Sequence, residues 1–152
     1  MVLTVRRVVT GHDDDGRAVV KIDEVVDYAR SQRPGHSAFV AWATDKHPVD
    51  NTDPEDGRFK PVINGTPGST ILRVAEFGPG FSTHHHRTNT VDYAIVMSGE
   101  IDMGLDEGEV HLKAGDILVQ RGTFHTWVNR GSEPCVIVFA MIAADPLIEA
   151  EG

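Results

Sequence analysis

Short runs of apolar and β-branched residues, each closed by Gly, Pro, Asn or Asp, follow one another along most of this chain. That is the pattern of strands and tight turns rather than of amphipathic helices. In the second half the runs fall at residues 70–77, 92–98, 100–105, 109–112, 116–120, 125–129 and 134–142. Turn signals separate them: Gly78-Pro79-Gly80, Ser98-Gly99, Asp106-Glu107-Gly108, Lys113-Ala114-Gly115-Asp116, Arg121-Gly122 and Arg130-Gly131-Ser132. Many short strands so spaced predict an all-β sandwich or barrel. Their nearly continuous apolar character predicts strands covered on both faces.

The first half is looser. Residues 5–10 and 17–22 are β-branched runs flanking Gly11-His12-Asp13-Asp14-Asp15-Gly16, which predicts an N-terminal hairpin. The aspartate run lacks the later ligands and closing glutamate of a calcium loop, so it reads as a solvated turn together with His12. Over residues 23–30, Ile22, Val25, Val26 and Ala29 fall at helical spacing behind a capping Asp23, predicting a short helix or turn that Arg33-Pro34-Gly35 ends. Residues 38–44 read as a strand. Residues 45–67, with four prolines, form a long irregular excursion expected to cover a pocket mouth. The organisation expected is one domain: N-terminal strands and long loop over residues 1–67 packing on a barrel at 68–144, then a frayed acidic tail at 145–152.

A chain of 152 residues with 40% hydrophobic and 24% charged content can bury a core without staples. The net charge of −9 disfavours nucleic acid and anionic membrane as partners, since both need a basic patch. The order of residues from Met1 to Arg7 is not that of a signal peptide, and no long apolar run exists, so a cytoplasmic protein is expected. The single cysteine, Cys135, excludes an internal disulfide and a multi-thiolate zinc site, and its apolar neighbours predict a buried, inert thiol.

Candidate chemistry gathers in His84-His85-His86-Arg87-Thr88-Asn89-Thr90-Val91-Asp92. On an extended segment His84 and His86 share one face and His85 takes the other; a register slip of one residue would exchange them. Asp92 opens the next strand, and His125 is a fourth candidate, with Trp127 on its side as core or pocket wall. Two imidazoles, a carboxylate and a third imidazole suit a divalent iron, manganese, zinc or nickel ion. His36, His47 and His111 have no partner pattern and read as surface or loop residues.

Gly78, His84, His86, Asp92 and Gly99, followed by Gly115-Asp116 through Gly122, His125 and Asn129, form two ordered motifs on short strands. On these residues the chain resembles the cupin superfamily, small double-stranded β-helix (jelly-roll) barrels, over about residues 70–143. It departs from the family in three places, one of them the triple histidine, which leaves open whether His85 or its neighbours face inward. Asp92 stands where glutamate is usual and is five residues clear of His86, which leaves it either a direct ligand or a partner to a ligand histidine. Gln120 stands in place of a proline, a change expected to alter the strand start without moving His125.

The resemblance implies one divalent metal ion (Fe, Mn, Zn or Ni) held by His84, His86, Asp92 and His125. Such an ion polarises a carbonyl or stabilises an enolate. Small substrates rich in oxygen fit that chemistry. Arg73 and Glu76 lie on opposite faces of one strand, so only one can line the cavity, and an inward Arg73 would grip a carboxylate. Tyr93, and less so His85, are candidates for proton transfer. The leading expectation is a metal-dependent lyase, decarboxylase or isomerase on a small oxygenated acid or carbonyl compound. A non-haem Fe(II) dioxygenase and a non-catalytic ligand-binding protein are the alternatives. A homodimer, paired through the N-terminal strands, is implied by the same resemblance.

Overall fold

The computed structural model describes residues 3–27 and 29–147. Asp13 reverses the chain: its carboxylate accepts the backbone N–H groups of Asp15 and Arg17, both at 2.9 Å, and Gly16 takes a φ of +77°. Strand β1 (Val5–His12) therefore folds straight back onto β2 (Ala18–Val26), with Val5 opposite Val26. The helix expected over residues 23–30 does not form. Asp23 and Glu24 instead face Val8 and Arg7 across the hairpin, and Val26 is fully buried while Val25 is 66% exposed. That is a period of two. Pairing with β1 overrides the helical spacing of the apolar residues; Tyr28, inside that span, lies outside the described residues.

The turn at Pro34-Gly35 joins β3 (Arg30–Arg33) to β4 (His36–Thr44), and β5 (Thr70–Phe77) follows the long loop. The remaining strands are β6 (Thr90–Ser98), β7 (Glu100–Gly104), β8 (Glu109–Lys113), β9 (Ile117–Arg121), β10 (Thr126–Val128) and β11 (Cys135–Ala143). They form a six-stranded sheet ordered β3-β4-β5-β11-β6-β9 and a three-stranded sheet ordered β10-β7-β8. The two inner faces enclose the main core, which includes Ile71, Phe77, Ala94, Val96, Ile101, Met103, Trp127, Ile137 and Phe139. This is the expected all-β double-stranded β-helix. The residues before 68 do more than pack on it, because β3 and β4 belong to the larger sheet. Buried Asn129 closes one end, donating to the carbonyls of Phe77 and Glu133 and accepting from the Gly131 N–H, each at 2.9 Å.

The outer face of the large sheet is covered only in part. Leu3 and Val26 at the base of the hairpin pack there on Phe39 and Val74. Farther along, Tyr93, Ile95, Met97, Ile117 and Val119 stay open, between 45% (Ile95) and 71% (Ile117) exposed. The expectation of strands covered on both faces thus holds for only half of this sheet.

The long loop is pinned rather than free. Buried Arg7 donates to both oxygens of Asp56, at 2.8 and 2.6 Å, and to the Ala41 carbonyl at 3.1 Å. Asp56 in turn accepts the Arg58 N–H at 3.0 Å and so caps a 3₁₀ turn, Gly57–Phe59. Gly57 lies flat against the Trp42 indole, where a Cβ has no room. Among the described residues no helix is long and apolar enough to cross a membrane.

Candidate functional site

A polar row crosses the inner face of the large sheet. Asp92 on β6 sits opposite Met141 on β11 and Gln120 on β9, and Arg73 on β5 lies one strand beyond, opposite Phe139. Arg73 shares its face with Ile71, Ala75 and Phe77, which belong to the main core, so it points inward and Glu76 outward.

Asp92, Gln120 and His125 are buried together. The Asp92 carboxylate accepts the Thr90 hydroxyl at 2.6 Å and the Gln120 amide N–H at 3.3 Å. The same amide nitrogen lies 3.4 Å from His125 Nε2. His125 Nδ1 is 2.9 Å from the Thr123 carbonyl, which can only accept, so Nδ1 carries the proton and Nε2 presents a lone pair. Burial lowers the His125 pKa, which keeps the ring neutral. His86 is built alike: its Nδ1 donates to the His84 carbonyl at 2.7 Å. His86 and His125 exchange main-chain hydrogen bonds of 3.1 and 3.0 Å, and their rings stand 4.4 Å apart.

The other sequence candidates lie elsewhere. Residues 81–89 are held by single bridges, Ser82 to Val128 and His86 to His125, so strand alternation does not by itself pair His84 with His86, and both are exposed. Exposed His85 pairs with Asp106 at 3.0 Å and stacks on Phe124 at 4.8 Å. Tyr93 points to the outer face, opposite Asp92. Trp127 is buried edge-on to His125 at 6.0 Å, in the main core. His36, read from sequence as a surface residue, packs half-buried against Phe77 and Phe81. His111 sits between Glu100 and Asp102, which raise its pKa. Cys135 is buried, and burial pushes its thiol up to about 11.

Sequence reasoning missed Gln120. Its departure from the family pattern was the available signal, and the residue fills the space between Asp92 and His125 rather than merely starting a strand. Its Oε1 is buried with no hydrogen-bond partner among the described residues. Among those residues no three His, Cys, Asp or Glu side chains close around one point. The His86 and His125 rings are in contact, and Gln120 and Asp92 lie beside His125, so nitrogen and oxygen donors of the kind a divalent transition metal takes are near one another.

Residues 73–141 match the family model described as "Cupin domain". "Phomopsin biosynthesis cluster protein C'" of Diaporthe leptostromiformis is 37% identical over 98% of this chain and 83% of its own length. The chain is a cupin. The "Cupin-domain-containing oxidoreductase fogC" of Aspergillus ruber is similar to this cupin at 32% identity, over 90% of the chain and 71% of that protein. In three dimensions the cupin fold here superimposes with a TM-score of 0.55 on an "uncharacterized conserved protein with double-stranded beta-helix domain" from Klebsiella pneumoniae. That likeness covers 78% of this chain and 85% of the other at 22% identity, and it concerns the fold alone.

Two openings matter in this cupin. The wider, about 970 Å³, lies between the hairpin and the long loop, walled by Trp42, Lys21, Lys60 and several acids, and none of the inner polar row lines it. The smaller, about 260 Å³, is a notch walled by Arg30, Ala38, Phe39, Val40, Arg58 and Arg73. Size favours the first. Chemistry favours the second, because Arg73 connects it to the row that holds Asp92 and His125.

Proposed function

We propose that this cupin is a mononuclear metal-dependent enzyme acting on a small oxygenated organic acid or carbonyl compound, by decarboxylation, dehydration or isomerisation through an enolate. One observation carries this reading: His86 and His125 stand with their rings 4.4 Å apart, each with Nδ1 engaged by a main-chain carbonyl, and His125 lies beside a buried carboxylate and amide on a sheet face that also bears an arginine. His86 and His125 would hold the ion, with Asp92 and His84 completing the set expected from the sequence and Gln120 beside them. When bound, the ion supplies Lewis acidity toward a carbonyl oxygen.

The chain's own groups do the rest. The carbonyls of His84 and Thr123 hold both imidazoles by Nδ1. Asp92 is held by Thr90 and Gln120 in the interior beside His125. The barrel wall of Trp127, Phe139 and Met141 excludes water, which strengthens every charge interaction inside. Arg73 takes the substrate carboxylate. Tyr93 is assigned no step.

A second reading, a non-haem iron dioxygenase, is favoured by the relative named as an oxidoreductase. Metal analysis of untagged protein tests the shared premise: His86→Ala and His125→Ala are each expected to lower bound metal by more than about half. If neither does, the site is wrongly assigned. Oxygen uptake during turnover separates the two chemistries, since only the dioxygenase consumes it.

We also propose a homodimer. The open apolar residues Tyr93, Ile95, Met97, Ile117 and Val119, with Val8, Val20 and Val25 exposed on the hairpin, support one, because contiguous patches of this kind mark interfaces.

A further inference from the structure

Arg6, Arg7 and Arg130 each meet carboxylates, with Arg6 2.8 Å from Asp23, Arg7 2.6 Å from Asp56 and Arg130 2.7 Å from Glu109. Arg73 does not. It is half-buried on the inner face, and its hydrogen bond among the described residues is to the Met141 thioether at 3.6 Å, a weak acceptor. Asp92, on the same face, engages Thr90 and Gln120 instead. Carboxylates are not scarce in a chain with 23 acidic and 14 basic residues. A guanidinium that gives up hydration without a paired anion is a net cost to the fold. An apolar side chain would fill that position better if filling were its only task.

The notch on which Arg73 opens carries two more guanidinium groups. Arg30 comes from the start of β3, and Arg58 from the 3₁₀ turn that Asp56 caps and Arg7 anchors. Arg58 lies over the Phe59 ring at 4.2 Å. Three arginines therefore line one opening of about 260 Å³, with Asp92 acting on Arg73 and Asp56 near Arg58, in a chain whose overall charge is acidic.

We propose that this notch binds a small organic dianion, with one carboxylate taken inside by Arg73 and the second anionic group held at the mouth by Arg30 and Arg58. A planar fork offering two parallel N–H donors is the group best matched to a carboxylate. That the dianion is the substrate rests on the function proposed above; that it binds does not.

The test is calorimetric titration of the purified protein, at matched ionic strength, with the dicarboxylates from oxalate to adipate and with propionate. Unfolding temperatures and metal content are measured on the same preparations. At least one dicarboxylate is expected to bind saturably, more tightly than propionate, and to raise the unfolding temperature. Arg73→Met weakens that binding by about a hundredfold, while the unliganded variant unfolds at the wild-type temperature or above, because an unpaired charge has become an apolar side chain. The double variant Arg30→Ala, Arg58→Ala keeps propionate binding and loses the preference for the dianion. The proposal is overturned if no member of the series binds above a sodium chloride control, if Arg73→Met binds like wild type, or if the double variant keeps the preference. It is overturned equally if unliganded Arg73→Met unfolds below wild type, the mark of a structural role. Metal content answers separately for the His86 and His125 assignment, so either idea can fail with the other intact.

Discussion

The Gln120 amide nitrogen stands 3.4 Å from His125 Nε2 and 3.3 Å from Asp92 Oδ2, so one side chain links the buried imidazole to the buried carboxylate. Removing it leaves Asp92 short of a donor in a place water does not reach. Gln120→Leu is expected to lower stability by about 2 kcal/mol, the usual cost of an unsatisfied buried polar group, read as a lower urea midpoint at unchanged slope. A variant as stable as wild type would show that the amide contributes nothing to holding the carboxylate.

Arg7 anchors the long loop. With Asp56 on its two terminal nitrogens and Ala41 beneath, Arg7→Ala leaves the half-buried Asp56 carboxylate with only the Arg58 N–H and is expected to cost about 2 kcal/mol. Limited proteolysis should then cut within residues 45–67 before any other region. The pair also has a pH signature. Arg7 holds the Asp56 carboxyl below its usual range, so the stabilisation is present above the carboxylate's unfolded value and is lost as pH falls through the depressed one. The gap between wild type and variant should narrow in strong acid.

His36 acts in the same direction at higher pH. Its ring packs 5.2 Å from Phe77 and 5.3 Å from Phe81, and burial first, then Arg33 and Arg73, lowers its pKa below 6.5. The unfolded chain therefore binds the proton at higher pH than the folded one, and stability falls as pH drops below 6.5 until the folded ring also titrates. His36→Phe should flatten the dependence of the urea midpoint on pH between about 6.5 and 5. An unchanged slope would assign the acid sensitivity to other groups.

The open outer face gives a fourth prediction. Ile95→Glu places a charge in the middle of the exposed apolar patch, on the face opposite the core residues Ala94 and Val96. Light scattering after size exclusion is expected to show a dimer for wild type and a monomer for the variant, with unchanged far-ultraviolet dichroism. A wild-type monomer at micromolar concentration would remove the dimer proposal.

Much of this was legible from residue order. The strand at residues 70–77 matches its span, and the hairpin around Asp13 carries its own turn chemistry, although its strands run on to His12 and Val26. The nearness of His125 to the histidine triplet followed from two ordered motifs. What was not legible depended on partners distant in the chain. The helical spacing over residues 23–30 yielded to pairing with β1. Single bridges around His86 leave the pairing of His84 with His86 to tertiary structure, and His36 was read as a surface or loop residue because nothing nearby in sequence announces Phe77 and Phe81.

Local order by itself determined where this chain turns, which runs become strands and that it folds as a cupin, because those choices rest on backbone preferences and on the period of apolar residues. The sheet order decided the site. Which face of each strand meets the interior, and so whether Arg73, Gln120 or Tyr93 stands beside Asp92, is set by registers between strands far apart in the chain, where a shift of one residue turns every side chain to the other side.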